Sequence, residues 1–237
     1  RPGNELFGIF PMIIGSIYVT AGAIIFGVPI GILTSVFMAM YCPKKIYKPL
    51  KAATELLAGI PSIVYGLIGI MVLNPLMFKL EKIIFAGSKT HQFTGGSNLI
   101  SAVLVLAVMI LPTVINISES SLRAVPKHYK AASLAMGATH IQTIFKVIIP
   151  AAKSGILTAV VLGIGRAIGE AMAITLVAGS AVNVPLPFNS VRFLTTAIVS
   201  EMAYSADTHR RVLFTIGLVL FIFKNSPALA ILSKLRI

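Results

Sequence analysis

The chain has 237 residues, of which 57% are hydrophobic and only 11% are charged, and its mean hydropathy is +0.93. A soluble domain of this size needs a far more charged surface, so the composition excludes one and predicts an integral membrane protein. The net charge of +13 comes from lysines and arginines beside apolar runs. This placement favours topology-setting charge and contact with membrane lipid, and it argues against nucleic acid as a partner.

Five apolar segments predict membrane-spanning helices, since a helix needs about 20 apolar residues to cross the hydrocarbon core. They cover residues 9–40, 61–78, 99–118, 155–179 and a run that begins near residue 212. In the first span, Gly27 and Gly31 lie four residues apart and predict a flat strip for close helix packing. The fold class predicted is therefore all-α, a polytopic bundle of transmembrane helices.

A polar segment, the coupling loop (residues 119–153), separates the third and fourth spans. Small residues, a glycine and a branched-apolar run ending in proline predict two short amphipathic helices joined by a tight turn at Gly137. Such a unit is too short to span the membrane and too regular to be a simple connector. The positions that define it are Ala131, Ala132, Ser133, Gly137 and Pro150.

The distribution of cationic residues predicts the orientation. If the first span ends in the cytoplasm, the cytoplasmic side receives Lys44, Lys45, Lys48, Lys51, Arg123, Lys127, Lys130, Lys146, Lys153, Lys224, Lys234 and Arg236. The external side receives Arg1, Lys79, Lys82, Lys89, Arg192, Arg210 and Arg211. The excess of positive charge inside favours this orientation, which also places the coupling loop in the cytoplasm.

Two charged residues, Arg166 and Glu170, lie deep in the fourth span. Their spacing of four predicts one helix face and an ion pair, with Gly165 and Gly169 leaving room for a neighbouring helix or a solute. Each charge alone at the membrane centre costs about 2.5–3.5 kcal/mol on insertion scales, so its presence needs a reason. One reason is an ion pair that locks two helices together. The other is a path for an oxyanion, which the planar guanidinium suits.

Residues 163–173, GIGRAIGEAMA, resemble the GxGRAIGETMA signature of PstC-type permease subunits of the phosphate ABC importer. The stretches LAGIPSIVYG at 57–66 and VRFLTT at 191–196 are similar to further parts of these permeases. The coupling loop resembles the cytoplasmic loop that docks into the ATPase subunit of ABC importers. The likeness covers residues 7–223 and implies the type I importer fold of the binding-protein-dependent transport family.

The resemblance implies a complex in the plasma membrane of a bacterium or archaeon. Its partners would be a PstA-like second permease subunit, a PstB-like ATPase dimer and a PstS-like external phosphate-binding protein. The ATPase would bind ATP and magnesium, with no cofactor in this chain, and phosphate would pass inward by alternating access. Arg166 and Glu170 match the family positions implicated in the phosphate path, and Ala132, Ser133, Gly137 and Pro150 match the coupling motif.

Three features depart from the family pattern. Ala131 replaces the glutamate that begins the coupling motif. Six spans are usual in the family, so we expect the first of them to precede the present sequence. Residues 224–237 form an atypical tail, in which Pro227 is expected to cut the last helix short.

Other functions fit the sequence less well. An intramembrane enzyme lacks support, because there is no HExxH motif and no aspartate within a span, and the four histidines fall in predicted loops. No catalytic residue or metal site is therefore predicted, and without a GxxxxGK[ST] loop no ATP hydrolysis either. A passive channel or a sensor would not need a coupling loop. A permease for another oxyanion, such as molybdate or sulfate, remains open on chemical grounds.

Overall fold

The computed structural model describes residues 9–87 and 91–235, with side chains as far as Asn225. These parts of the chain consist of helices and connecting loops and contain no strand. The helices in chain order are α1 (Phe10–Val36), α2 (Lys44–Gly59), α3 (Ser62–Ile68), α4 (Asn74–Ile84), α5 (Leu99–Ala124), α6 (Lys127–Ala135), α7 (His140–Thr143), α8 (Ile149–Ala151), α9 (Lys153–Gly169), α10 (Met172–Val177), α11 (Leu194–Glu201) and α12 (Asp207–Leu235). Short π-helical segments continue α1, α3 and α7 at Phe37–Tyr41, Gly69–Leu73 and Ile144–Ile148. The all-α prediction is confirmed.

Three of the described helical stretches are long and apolar enough to cross a membrane: Phe10–Tyr41, Ser62–Ile84 and Leu99–Ala124. A fourth span arises if His140–Ala151 and Lys153–Gly169, which are bent by 68° at their junction, count as one. The five predicted spans therefore do not all appear as single straight helices. The predicted fifth span lies within α12, which is 29 residues long.

The last helix does not end where the sequence predicted. α12 continues through Pro227 to Leu235, so the expectation that this proline cuts the helix short is wrong. A proline removes one backbone N–H and distorts a helix, but transmembrane helices tolerate it when the remaining backbone groups are satisfied. The same chain carries Pro29 inside α1 and Pro112 inside α5.

The centre of the fold is α5, which packs against both α1 and α9, and these two helices also contact each other. Its residues Ala102, Leu106, Ile110 and Val114 recur every four positions, and each is fully buried. This spacing places them on one stripe of the helix. The stripe is the hydrophobic core against which the flanking helices are positioned.

Glycines allow α1 to approach that stripe closely. A β-carbon at Gly27 would lie 2.8 Å from Ile110 Cδ1 and 2.9 Å from the Ala107 carbonyl oxygen, and one at Gly31 would lie 2.8 Å from Val114 Cγ1. Real β-carbons do not approach other atoms so closely, so neither position accepts a larger residue without a shift. The predicted packing strip of Gly27 and Gly31 is confirmed.

A different pair of glycines serves the contact between α9 and α5. A β-carbon at Gly163 would meet Val114 at 3.1 Å, and one at Gly155 would collide with Ser121. At Gly165 it would meet nothing within 4 Å among the described residues, and at Gly169 only Lys224 Nζ, at 3.7 Å. Neither position contacts α5, so the room that Gly165 and Gly169 are predicted to leave for a neighbouring helix or a solute stays a prediction.

Candidate functional site

The predicted fourth span is a broken helix. α9 ends at Gly169, Glu170 has an extended backbone with φ −73° and ψ 134°, and α10 begins at Met172. Breaks of this kind occur at membrane depth only where the backbone is buried in protein or lines a cavity, and they are typical of transporter substrate sites. The break directly follows the turn that carries Arg166.

The side chain of Glu170 stabilises the start of α10. Its Oε1 accepts a hydrogen bond of 3.0 Å from the backbone N–H of Ala173. The first N–H groups of a helix have no partner within the helix, so a carboxylate placed just before them satisfies one of them. Gly169, a weak helix former, allows the chain to leave α9 at this point.

Arg166 points elsewhere. Its Nη1 lies 3.4 Å from Thr113 Oγ1 of α5, a long hydrogen bond, and the arginine is half-buried. The predicted ion pair between Arg166 and Glu170 is wrong: they form no salt bridge, since Glu170 has left the helical path and is bound to α10. Thr113 thus holds the guanidinium at one edge, and no carboxylate in the described part of the chain pairs with its other N–H donors.

A second cation lies at the same break. Lys224 of α12 places its Nζ 3.7 Å from the β-carbon position of Gly169. The sequence assigned Lys224 to the cytoplasmic side, and the structure instead brings it to the end of α9. Only the packing of α12 against α9 could reveal this, because nothing in the local sequence relates Lys224 to the fourth span.

The coupling loop folds as two short helices around a glycine turn. α6 ends before Gly137, whose φ of +84° lies in the left-handed region that favours glycine. α7 follows, with a capping box in which Thr139 and Gln142 bond each other's backbone N–H groups. Ser133 Oγ lies 2.9 Å from Thr143 Oγ1 and joins the two helices. The predicted turn at Gly137 is confirmed.

This loop presents apolar side chains to its surroundings. Met136 is 89% exposed, and Ile141 and Phe145 are 62% and 53% exposed. The motif positions Ala131, Ala132 and Pro150 are also exposed. Contiguous exposed apolar surface rimmed by polar residues marks a protein interaction site.

A buried carboxylate, which the sequence analysis did not single out, anchors the cytoplasmic end of α5. α5 continues to Ala124, so Glu119 lies in the helix and not in the predicted loop, and its side chain is 2% exposed. It accepts hydrogen bonds from Tyr47 (2.8 Å) and Lys51 Nζ (2.9 Å) of α2, and Arg123 Nε pairs with it. The i,i+4 spacing of Glu119 and Arg123 was the one local signal of this network.

The same network fixes α2 against its neighbouring helices. The hydrogen bond to Glu119 is the largest cause that raises the pKa of Tyr47 above its usual value, so Tyr47 remains a donor throughout the physiological range. Arg123 Nη2 also donates to the Met38 carbonyl at 2.9 Å, and the guanidinium lies 4.3 Å over the Tyr47 ring. α2 is thus joined to α5 and to the end of α1.

One histidine assigned to a loop is buried. The His91 side chain is 11% exposed, and its Nε2 lies 2.8 Å from Oε1 of the fully buried Glu81. Glu81 also accepts from the Thr94 N–H at 3.0 Å, and Phe85 stacks on the His91 ring at 3.8 Å. His91 thus lies in a loop, as predicted, but its ring is packed and paired because a buried carboxylate of α4 needs this partner.

The fold matches solved transporter structures. A MetNI methionine ABC transporter in an inward-facing conformation matches 94% of this chain and 93% of its own, with a TM-score of 0.64 and 22% identity. An amino acid ABC transporter with histidines matches 97% and 94%, with a TM-score of 0.62 and 19% identity. At these identities the likeness concerns the fold, and the predicted type I importer permease fold is confirmed.

Sequence relatives give the family. A probable ABC transporter permease, YqgH of Bacillus subtilis, is 40% identical over 91% of this chain and 68% of its own length. The phosphate transport permease PstC of Mesorhizobium japonicum is 34% identical over 94% and 71%. Residues 27–232 match the family described as binding-protein-dependent transport system inner membrane component. This chain therefore belongs to that family of multi-pass membrane permeases, which are transport components and not enzymes.

Proposed function

We propose that this chain is a permease subunit of an ATP-driven phosphate importer in the plasma membrane of a bacterium or archaeon. The observation that carries the proposal is Arg166 in the last turn of a helix that breaks within the membrane. It supports the proposal because the relatives over this region include phosphate permeases.

The chemistry at the break suits a tetrahedral oxyanion. A guanidinium offers a planar fork of donors that matches two oxygens of phosphate. Arg166 is half-buried and lacks a carboxylate partner in the described part of the chain, so its charge is available to a transported anion. Glu170 shapes the path by capping α10 and does not neutralise the arginine.

ATP hydrolysis is carried out, in this proposal, by a PstB-like ATPase dimer. The coupling loop docks on that dimer through its exposed apolar surface at Met136, Ile141 and Phe145. ATP and magnesium bind to the ATPase and not to this chain. Closure of the dimer then moves α6 and α7, and the motion passes to α5 and α9, which flank the loop in sequence.

A PstA-like second permease subunit completes the membrane part of the complex, and a PstS-like binding protein delivers phosphate outside. The binding protein sets the choice of solute, so a permease for molybdate or sulfate has the same architecture. An experiment is needed to distinguish phosphate from molybdate or sulfate as the substrate, because the geometry of Arg166 suits each of these oxyanions.

The test is uptake of radiolabelled phosphate into vesicles that carry this chain with its partner permease, ATPase and binding protein. We expect uptake that requires ATP and resists an excess of sulfate or molybdate. Uptake that either competitor abolishes would keep the ABC permease and overturn the substrate. Uptake that is independent of ATP would overturn the role of the coupling loop.

A further inference from the structure

A small basic cavity lies where the coupling loop joins the transmembrane helices. Its volume is about 270 Å³. It is bounded by the π-helical end of α1, the end of α5, the start of α6 and the π-helical segment after α7. The lining residues are Ala39, Met40, Leu122, Arg123, Val125, Pro126, Lys127, Lys130 and Ile148. This cavity is distinct from the Arg166 break, which lies at the other end of α9.

Three cations line the cavity without a carboxylate among the lining residues. Arg123 is held in place, because its Nε pairs with Glu119 and its Nη2 donates to the Met38 carbonyl. Lys127 and Lys130 form no ion pair in the described part of the chain. The cavity therefore carries two uncompensated positive charges beside a fixed guanidinium.

The helix that begins at this cavity adds to its positive potential. α6 starts at Lys127 directly after Pro126, and the N–H groups of a first helical turn attract anions. The lining also has an apolar part, formed by Met40, Leu122 and Ile148, of which the last two are buried. A free inorganic anion gains nothing from such a wall, whereas an amphiphile uses both halves.

The surroundings place the cavity at the membrane surface. It adjoins the end of α1, where the aromatic side chains of Phe37 and Tyr41 are 45% and 49% exposed. Aromatic residues of this kind lie at the boundary between lipid and water. The charge distribution puts this end of α1 on the cytoplasmic side, where basic pockets between helices recognise lipid headgroups.

We propose that this cavity binds the phosphodiester headgroup of an anionic phospholipid. Arg123, Lys127 and Lys130 bind the phosphate group, and the acyl chains lie along the apolar end of α1. Because Lys127 and Lys130 belong to α6, a bound lipid ties the first helix of the coupling loop to the membrane. The site is independent of the identity of the transported solute.

The test measures lipid retention by the complex of this chain with its partner permease and ATPase, purified in detergent. Native mass spectrometry with phosphatidylglycerol, and with phosphatidylcholine for comparison, would count bound lipids. We expect K127Q/K130Q to weaken phosphatidylglycerol retention roughly 30-fold, since each lysine near an anionic surface contributes about fivefold. The matched control is K44Q/K45Q, which removes two exposed cytoplasmic lysines that do not line the cavity.

Several results would overturn the proposal. Equal losses in the two double variants would show nonspecific electrostatics, and equal retention of phosphatidylcholine would remove the role of the anion. Displacement of the lipid by millimolar inorganic phosphate would assign the cavity to the free anion. Lipid that appears only after the ATPase is removed would assign it to the interface with that subunit. Melting temperatures of both variants, measured without added lipid, would identify a folding defect, and K130Q alone would then replace the double variant.

Discussion

Glu170 accepts a hydrogen bond of 3.0 Å from the backbone N–H of Ala173, so the residue that ends α9 also caps α10. The Glu170 carboxylate thereby stabilises the break between α9 and α10 by binding the backbone of α10, and it forms no ion pair with Arg166. This assignment separates the roles of the two ionisable residues and leads to different predictions for each.

For Glu170 the decisive comparison is Glu170→Gln with Glu170→Ala. Glutamine keeps an oxygen that can accept from Ala173, so we expect it to retain most of the stability and of the phosphate uptake. Alanine removes the cap and should lower stability by about 0.5–2 kcal/mol, with a loss of uptake. Thermal melting of the purified complex and vesicle uptake measure the two effects. A glutamine variant as inactive as the alanine variant would show that the charge itself is required.

For Arg166 we expect Arg166→Ala to reduce phosphate uptake by about 100-fold or more, because charge-assisted hydrogen bonds contribute about 1.5–3 kcal/mol each. Arg166→Lys should recover only part of the activity, since an ammonium lacks the planar fork. Co-purification of the ATPase and the second permease should be unchanged in both variants. Loss of assembly in Arg166→Ala would instead identify the arginine as a structural lock between helices.

Two carboxylates face the same lysine and give a matched test of the α2–α5 junction. Glu119→Gln leaves Lys51 and Arg123 without their buried anion, and we expect a loss of about 2–3 kcal/mol. Glu55 lies 3.9 Å from Lys51 but is 62% exposed, so Glu55→Gln should change stability by less than about 0.5 kcal/mol. Denaturation of the purified chain measures both. Equal effects would contradict the anchoring role of Glu119.

The close approach of α1 and α5 predicts a strong contrast between two glycines. Gly31→Ala places a β-carbon 2.8 Å from Val114 Cγ1 and should destabilise the chain by about 1–3 kcal/mol. Gly165→Ala meets nothing within 4 Å among the described residues, so it should be neutral or slightly stabilising. Melting temperatures in detergent compare the stability of the two variants. A destabilised Gly165→Ala would indicate a neighbour from another subunit.

The left-handed turn of the coupling loop gives the last prediction. Gly137→Ala should cost about 1–2 kcal/mol locally, because its φ of +84° strains any residue with a β-carbon. We expect ATPase activity stimulated by the binding protein to fall, while the melting temperature changes little. Gly59→Ala, at the end of α2 with open space around it, is the control. Unchanged coupling in Gly137→Ala would show that the loop does not need this turn to dock.

Sequence patterns predicted the features that depend on local spacing. Gly27 and Gly31 are one turn apart, and Gly137 lies between two short amphipathic runs, so their roles follow from neighbouring residues. The break at Glu170 escaped prediction because the surrounding apolar run reads as a continuous helix and the cap at Ala173 forms only when the helix ends.

Contacts between distant residues could not be predicted at all. Lys51 meets Glu119 across 68 positions, and Lys224 reaches Gly169 from a different helix, α12. Such pairings depend on how the helices pack against one another and not on neighbouring residues. The buried pair of Glu81 and His91 escaped for the same reason, since a loop histidine gives no sign of the carboxylate that it meets.

The broken helix also has an electrostatic consequence for release of the solute. Arg166 lies in the last turn of α9, where unpaired carbonyls form the negative end of the helix dipole, and Glu170 lies at the positive end of α10. Each charge thus opposes the dipole end beside it and partly cancels its field, whereas Lys224, in the middle of α12, is a cation at the break that no end of its own helix offsets. An anion at Arg166 therefore meets a guanidinium whose field the carbonyl end of α9 weakens, which favours release of the anion over long retention.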